Sequence, residues 1–224
     1  MKNREKYQDI FLIAHNLFLE QGYESATIRA ISDQAQVSLG LTNHFFHSKQ
    51  HLAGLILGAL SDYITCQCDA RASGNDLLLK AALSTRVTNR YLLGGRYRRF
   101  YLDSLAQDIA LPGSTGSPRF CLYELAEAYG FPADDDLFLL YEQYVPRSYE
   151  KTLVLGKEQG LFPTISYEEI PDYIMISRFE HFIDTQILNE ALLKARKAAD
   201  PILGRMPEVI PDDVLLEYLD RMST

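Results

Sequence analysis

Nothing in these 224 residues stays apolar for the roughly 20 positions that a membrane-crossing helix needs, because charged or polar residues interrupt every hydrophobic run. Nor does a charged, then apolar, then small-residue signal pattern open the chain. Cysteine is scarce. There are three, an odd number, two of them the tight pair Cys66 and Cys68, which is no disulfide framework. These absences point to the reducing cytoplasm and to no membrane partner. Catalytic signatures are missing too: no glycine-rich phosphate loop, no nucleophile elbow, no cysteine–histidine arrangement of recognisable spacing. His47 and His51 stand four apart, a spacing that can chelate a metal from one helix, but no glutamate lies between them as in HExxH. The reading is therefore no metal, no cofactor and no enzyme. Cys66 and Cys68 are either oxidant sensors or buried structural thiols.

Positive charge is also short, with a formal net of -8, which at first argues against a nucleic-acid partner. Its distribution says more than its sum. Residues 1–52 carry five cations (Lys2, Arg4, Lys6, Arg29, Lys49) against five anions and are neutral, so the whole excess of acid lies in residues 53–224. Four of the five histidines, His15, His44, His47 and His51, fall in the same neutral segment. A histidine beside phosphate tends to hold its proton. The N-terminal part is the only plausible polyanion-facing region.

What the chain has in quantity is helical periodicity and a 47% apolar content, enough to bury a core without metal or disulfide. Tyr7, Ile10, Phe11, Ala14, Leu17 and Phe18 form one stripe of a first helix that stops at Gly22. Thr27 offers a hydroxyl cap to a short second helix with Ile28, Ile31 and Ala35 inside, ending near Gln36. Ser38 can cap a third over roughly 39–45, and Ser48 a long fourth, with Leu52, Leu55, Ile56, Ala59, Leu60, Tyr63 and Ile64 apolar. The fourth would link two domains, 1–52 and 53–224. Beyond it, glycine and proline punctuate helices expected at about 76–93, 96–110, 118–129, 134–159, 167–198 and 212–222. Pro146 should kink or divide the 134–159 segment, and 110–117 reads as a mobile loop. No strand-like alternation is sustained. The fold class is all-α.

Two short capped helices joined by a tight turn are a helix-turn-helix arrangement, which places its second helix in the DNA major groove. Thr27 and Ser38 either contact backbone phosphate while capping or only cap. Gly40 permits close approach, to the groove or to the second helix. Leu39, Leu41, Thr42 and Asn43 are the variable positions. Asn43 can pair with an adenine edge, and Leu39 or Thr42 can meet a thymine methyl. His44 and Lys49 are candidates for phosphate, and Arg29 for base, phosphate or plain solvent. Phe45 packs at the core and the groove edge.

The pieces Ala14, Leu17-Phe18, Gly22-Tyr23, Thr27-Ile28-Arg29, Ile31-Ser32, Ala35, Val37-Ser38, Gly40, His44-Phe45-Phe46, Ser48-Lys49 and Leu52 carry a resemblance. Over residues 10–57 the chain resembles the N-terminal DNA-binding domain of the TetR/AcrR family of regulators. The resemblance implies a ligand-responsive regulator, usually a repressor, bound as a homodimer to a palindromic double-stranded DNA operator and released by a small-molecule effector. Two positions depart from the family's habit. Residue 39, often lysine or arginine, is leucine, and residue 43, often tyrosine, is asparagine.

Residues 53–224 hold twelve of the fourteen tyrosines and seven of the eleven phenylalanines, a large supply for an apolar or aromatic effector cavity. Arg90, Tyr91, Arg96, Tyr97 and Tyr101, with Arg86, Arg98 and Arg99 close by, either present guanidinium groups to such a ligand or form a solvated face paired with acids. Tyr123 and Tyr144 are further lining candidates. From Tyr173 to Leu192 the chain is apolar around more than one stripe. A helix of that kind buries one face inward and one against a partner, and Ile176, Phe179, Phe182, Ile183 and Ile187 are the expected dimer contacts. The rival reading is a helical enzyme, or a helical scaffold that has lost DNA binding.

Overall fold

Most element boundaries follow from local signals, namely capping hydroxyls, glycines and prolines. A computed structural model describes residues 2–70, 76–109, 122–132 and 136–222. Among them all regular structure is helical, as the periodicity requires. The chain forms two compact units, one from segments 1–63, 92–116 and 207–224, the other from 64–91 and 117–206. These units cut the chain differently from a division at residue 52. The reason is packing: helices far along the chain lie on the first helix and join the N-terminal unit.

In the first unit, α1 (Lys2–Ser25), α2 (Ile28–Gln34), α3 (Leu39–Phe46) and the start of α4 (Lys49–Asp69) are joined by α6 (Arg98–Ala106) and α12 (Asp212–Met222). The predicted stripe Ile10, Phe11, Ala14, Leu17 and Phe18 is buried, and Phe18 stacks on Phe100 of α6 at 5.1 Å. Truncating such a buried ring costs about 3–5 kcal/mol, so Phe100 is one of the residues that fastens α6 to α1. The expected stop at Gly22 is instead a kink: helical turns resume and run to Ser25. Gly22 sits at φ +80°, and a Cβ there would stand 2.6 Å from both Arg99 Nε and Asp103 Oδ2. Only glycine fits.

Helix α4 is continuous, as expected, and α5 (Leu77–Gly94) follows. In the second unit α7 (Leu122–Tyr129) begins inside the predicted 118–129 helix, whereas residues 110–117, read as a mobile loop, lie outside the described residues. The predicted 134–159 segment divides into α8 (Asp136–Leu139), a π-helical turn Leu140–Tyr144, and α9 (Val145–Glu158). Pro146 occupies the first turn of α9, where a missing N–H costs nothing.

The predicted single helix over 167–198 is two: α10 (Ile170–Phe179) and α11 (Thr185–Leu203). Asp184 makes the break, accepting from the amides of Gln186 at 2.8 Å and Ile187 at 3.4 Å as the cap of α11. The apolar run through Phe179, Phe182 and Ile183 masked that cap. Nor does Pro201 end a helix, since α11 carries it in its last turn.

Candidate nucleic-acid interface

Three consecutive helices start on a hydroxyl that faces its own backbone. Thr27 Oγ1 accepts from Ala30 N at 3.0 Å, Ser38 Oγ from Leu41 N at 3.2 Å, and Ser48 Oγ from His51 N at 3.0 Å. Each hydroxyl satisfies an amide that the helix leaves open. The turn between α2 and α3 closes through Val37 N to Ser32 O at 3.0 Å, with Gln36 at φ +52°. Ser32 Oγ donates to Ile28 O at 2.8 Å, so its other contact, Thr42 Oγ1 at 2.8 Å, must be the donor to it. This buried pair fixes the register of α3 on α2.

The outer side of the motif carries Thr27, Arg29, Ser38, Leu39, Gly40, Asn43 and His44, all exposed, with Leu41 half-buried. Leu39 leaves 41% of its surface to solvent, as a residue that meets a thymine methyl must. A Cβ on Gly40 would come no nearer than 4.0 Å to Ser38 Oγ, so packing on α2 does not require the glycine.

Two predicted contacts are corrected. Thr42 is fully buried with its hydroxyl on Ser32, so its methyl cannot reach a base. Lys49 does not point outward. Its Nζ donates to the carbonyls of Tyr23 at 2.8 Å and Ala26 at 2.9 Å, above the Tyr23 ring at 4.1 Å. Burial draws this ammonium below the usual lysine range, while Glu24 and Asp103 act in the opposite sense. Phe45 packs edge-on to Tyr7 at 5.4 Å, and Phe46 stacks flat on the same ring at 4.6 Å.

The residues predicted for an effector do not gather in one cavity. Tyr97 and Tyr101 are core of the first unit. The Tyr97 hydroxyl accepts from Ile210 N at 3.0 Å and pairs with His15 Nε2 at 3.1 Å, so it is not free for a ligand. Arg96 and Tyr144 are exposed and Tyr91 half-buried, while the side chain of Tyr123 lies outside the described residues. Arg90 does line an open cleft in the second unit, of about 460 Å³, with Arg86, Ser166, Glu168, Glu169, Arg196 and Asp200. Its Nε lies 2.9 Å from Glu168 Oε1 and its Nη1 2.6 Å from Asp200 Oδ1. Behind it Arg86 is buried, with Nη1 on Glu168 O at 2.8 Å and Nη2 on Asp172, and its buried Nε has no partner. Arg196 donates to the other oxygen of Asp172 at 2.8 Å. The sequence reading missed Asp172. A lone carboxylate in an otherwise apolar segment was the available signal.

Of the predicted dimer contacts, Phe179 and Ile183 are buried within the chain and cannot meet a partner. Ile176 and Phe182 are half-buried and Ile187 is 45% exposed, close in sequence to the exposed Tyr173 and Leu193.

Residues 10–55 match the family model for bacterial regulatory proteins, tetR family. The match is to a family of regulators, not of enzymes. No curated protein matches the chain. Among solved structures, a gamma-butyrolactone receptor described as an ArpA-like protein is similar at 16% identity and a TM-score of 0.40, over 89% of this chain and 98% of that one. A putative TetR-family transcriptional regulator from Vibrio parahaemolyticus is similar at 18% identity and a TM-score of 0.33, over 86% of this chain and 97% of that one.

Proposed function

We propose that this protein is a transcriptional repressor that binds a palindromic operator as a homodimer, a reading supported by the match of residues 10–55 to the model for bacterial regulatory proteins of the tetR family. One observation carries the reading: α3 is held on α2 by the buried Ser32–Thr42 bond while Leu39, Gly40 and Asn43 stay exposed. That leaves a rigid helix with an adenine-pairing amide and an apolar methyl contact on its free side. Residues 1–52 serve as the DNA-reading domain, and 53–224 as the effector and dimerisation domain, within the cytoplasm. Ile176, Phe182 and Ile187 belong to the partner-facing surface.

The effector is a small apolar or aromatic molecule, and the cleft around Arg90 supports one that also bears a carboxylate. Arg90 holds two separate, exposed carboxylates, one on Nε and one on Nη1, either of which an acidic ligand would displace. Footprinting on the DNA upstream of the protein's own gene tests the operator reading. Two protected half-sites about one helical turn apart (34–36 Å) are expected. A lone, asymmetric half-site would overturn the dimeric reading.

A further inference from the structure

The interface presents little fixed positive charge. Lys49 is turned onto the carbonyls of Tyr23 and Ala26, and Arg4 at the start of α1 is tied to Asp220 at 2.5 Å. On α2, α3 and the first turn of α4, Arg29 is the one exposed lysine or arginine, a short supply for gripping a duplex that carries a charge every few ångströms. Histidines stand where cations would be expected. His44 is exposed on the last turn of α3, His47 is exposed at its C-cap with φ +57°, and His51 is exposed one turn into α4. The rings of His47 and His51 are 5.8 Å apart.

We infer that His44, His47 and His51 are the phosphate-contacting patch of this DNA interface, and that operator binding therefore takes up protons. The inference rests on α3 entering the major groove, as proposed above. The sequence places His47 and His51 in the polyanion-facing segment without giving either a contact, and the family match assigns them none. An imidazolium has two N–H donors and a full charge for a phosphate oxygen, whereas a neutral imidazole has one donor and none. In the free protein burial draws the His51 ring down, and His47, a like charge, acts on it in the same sense. The His44 ring lies beside Phe45, which packs on Tyr7 of α1. Lys49, the cation nearest in sequence, is turned onto carbonyls and interacts with Glu24 and Asp103. Bringing phosphates to the patch removes the penalty of charging neighbouring rings together, so DNA and protons bind cooperatively. The linkage fixes the sign: affinity rises as pH falls, by up to about tenfold per pH unit for each proton taken up.

The test is fluorescence anisotropy of the full-length protein on the upstream DNA and on a random 30-base-pair duplex, from pH 8 to pH 6 at constant ionic strength. Binding about ten- to a hundredfold tighter at pH 6 is expected, with a steeper salt slope there, by about 0.9 for each phosphate newly neutralised. The triple variant His44→Gln, His47→Gln, His51→Gln should bind both duplexes with flat pH dependence and one salt slope. Because all three sites are exposed, thermal melting should show the variant folded. A pH-independent affinity in the native protein would overturn the histidine patch and leave DNA binding intact. Absence of binding to either duplex at every pH would overturn the patch together with the operator reading beneath it.

Discussion

The ammonium of Lys49, on the first turn of α4, lies 4.1 Å above the ring of Tyr23 and donates to the Tyr23 carbonyl at 2.8 Å. With a second bond to Ala26 O at 2.9 Å, it closes the corner where α1 ends and α2 begins. A cation at the C-terminal carbonyls of a helix complements the helix dipole. Asp103 of α6 reaches the same corner, accepting from Glu24 N at 3.2 Å.

Lys49 therefore acts by holding the corner, and its removal should read as a loss of structure. Lys49→Met is expected to lower unfolding free energy by about 1–3 kcal/mol, the cost of leaving partly buried carbonyls without a donor. Urea unfolding measures it. With the ammonium kept on these carbonyls, the salt slope of DNA binding should not change. A slope flattened by about one would instead return Lys49 to the phosphate contacts.

Asn43, exposed on α3, is the proposed base reader. Asn43→Ala should relax preference at one base pair per half-site, costing on the order of 1–3 kcal/mol there, and should leave binding to random DNA unchanged. Competition binding with single-base operator variants measures it. Equal losses on operator and random duplex would remove Asn43 from that role.

Much of the interface was legible because its signals are short-range. Thr27, Ser38 and Ser48 cap helices in the register their spacing required, and Leu39 and Asn43 point outward. What failed depended on groups distant in sequence. That Lys49 serves carbonyls 23 and 26 residues upstream cannot be read from a lysine beside a serine. Thr42 looks like any helical threonine until Ser32 is placed under it. In the second unit the apolar run 173–192 hid the Asp184 cap, because periodicity weighs the apolar side chains and not a single carboxylate that stops them. Tyr97 was assigned to a ligand because aromatics near arginines suggest a pocket. Its partners, His15 and Ile210, lie 82 and 113 residues away.

Those partners give a pH dependence of stability. Burial pulls the His15 imidazole from 6.5 down to about 4, so the folded protein holds the ring neutral beside Tyr97. The unfolded chain takes up the proton first. Stability from this group is complete above pH 6.5 and is lost as pH falls toward 4, by on the order of 3 kcal/mol. His15→Phe, whatever its stability at pH 7, should flatten the melting temperature against pH over that window. A profile as steep as that of the native protein would place the titration elsewhere.

In the second unit Asp172 receives both Arg86 and Arg196 and is buried with Arg86. Asp172→Ala would strand a buried guanidinium, a change that costs about 3–5 kcal/mol. Thermal and urea melts should show that loss, while the exposed partner substitution Lys194→Ala, which breaks a surface pair with Asp76 at 3.9 Å, should fall within about 0.5 kcal/mol of the native protein. Equal small effects would mean the Arg86–Asp172 pair is not under tension from burial.

The effector prediction turns on Asp200. This exposed carboxylate occupies Arg90 Nη1 at 2.6 Å, as an acidic ligand would. If an aromatic carboxylate is the effector, it must displace Asp200 and Glu168 from Arg90, and Asp200→Asn should tighten its binding while Arg90→Gln abolishes it. Binding must also be coupled to DNA. A typical coupling of about 1–3 kcal/mol is a 5- to 150-fold change, and the operator must weaken the ligand by the same factor that the ligand weakens the operator. Calorimetric titration of benzoate and larger aromatic acids, with and without operator duplex, measures both factors on the native protein and the two variants. Identical ligand affinities with and without DNA would sink the switch even where both partners bind. An affinity unmoved by Arg90→Gln would take the ligand out of this cleft.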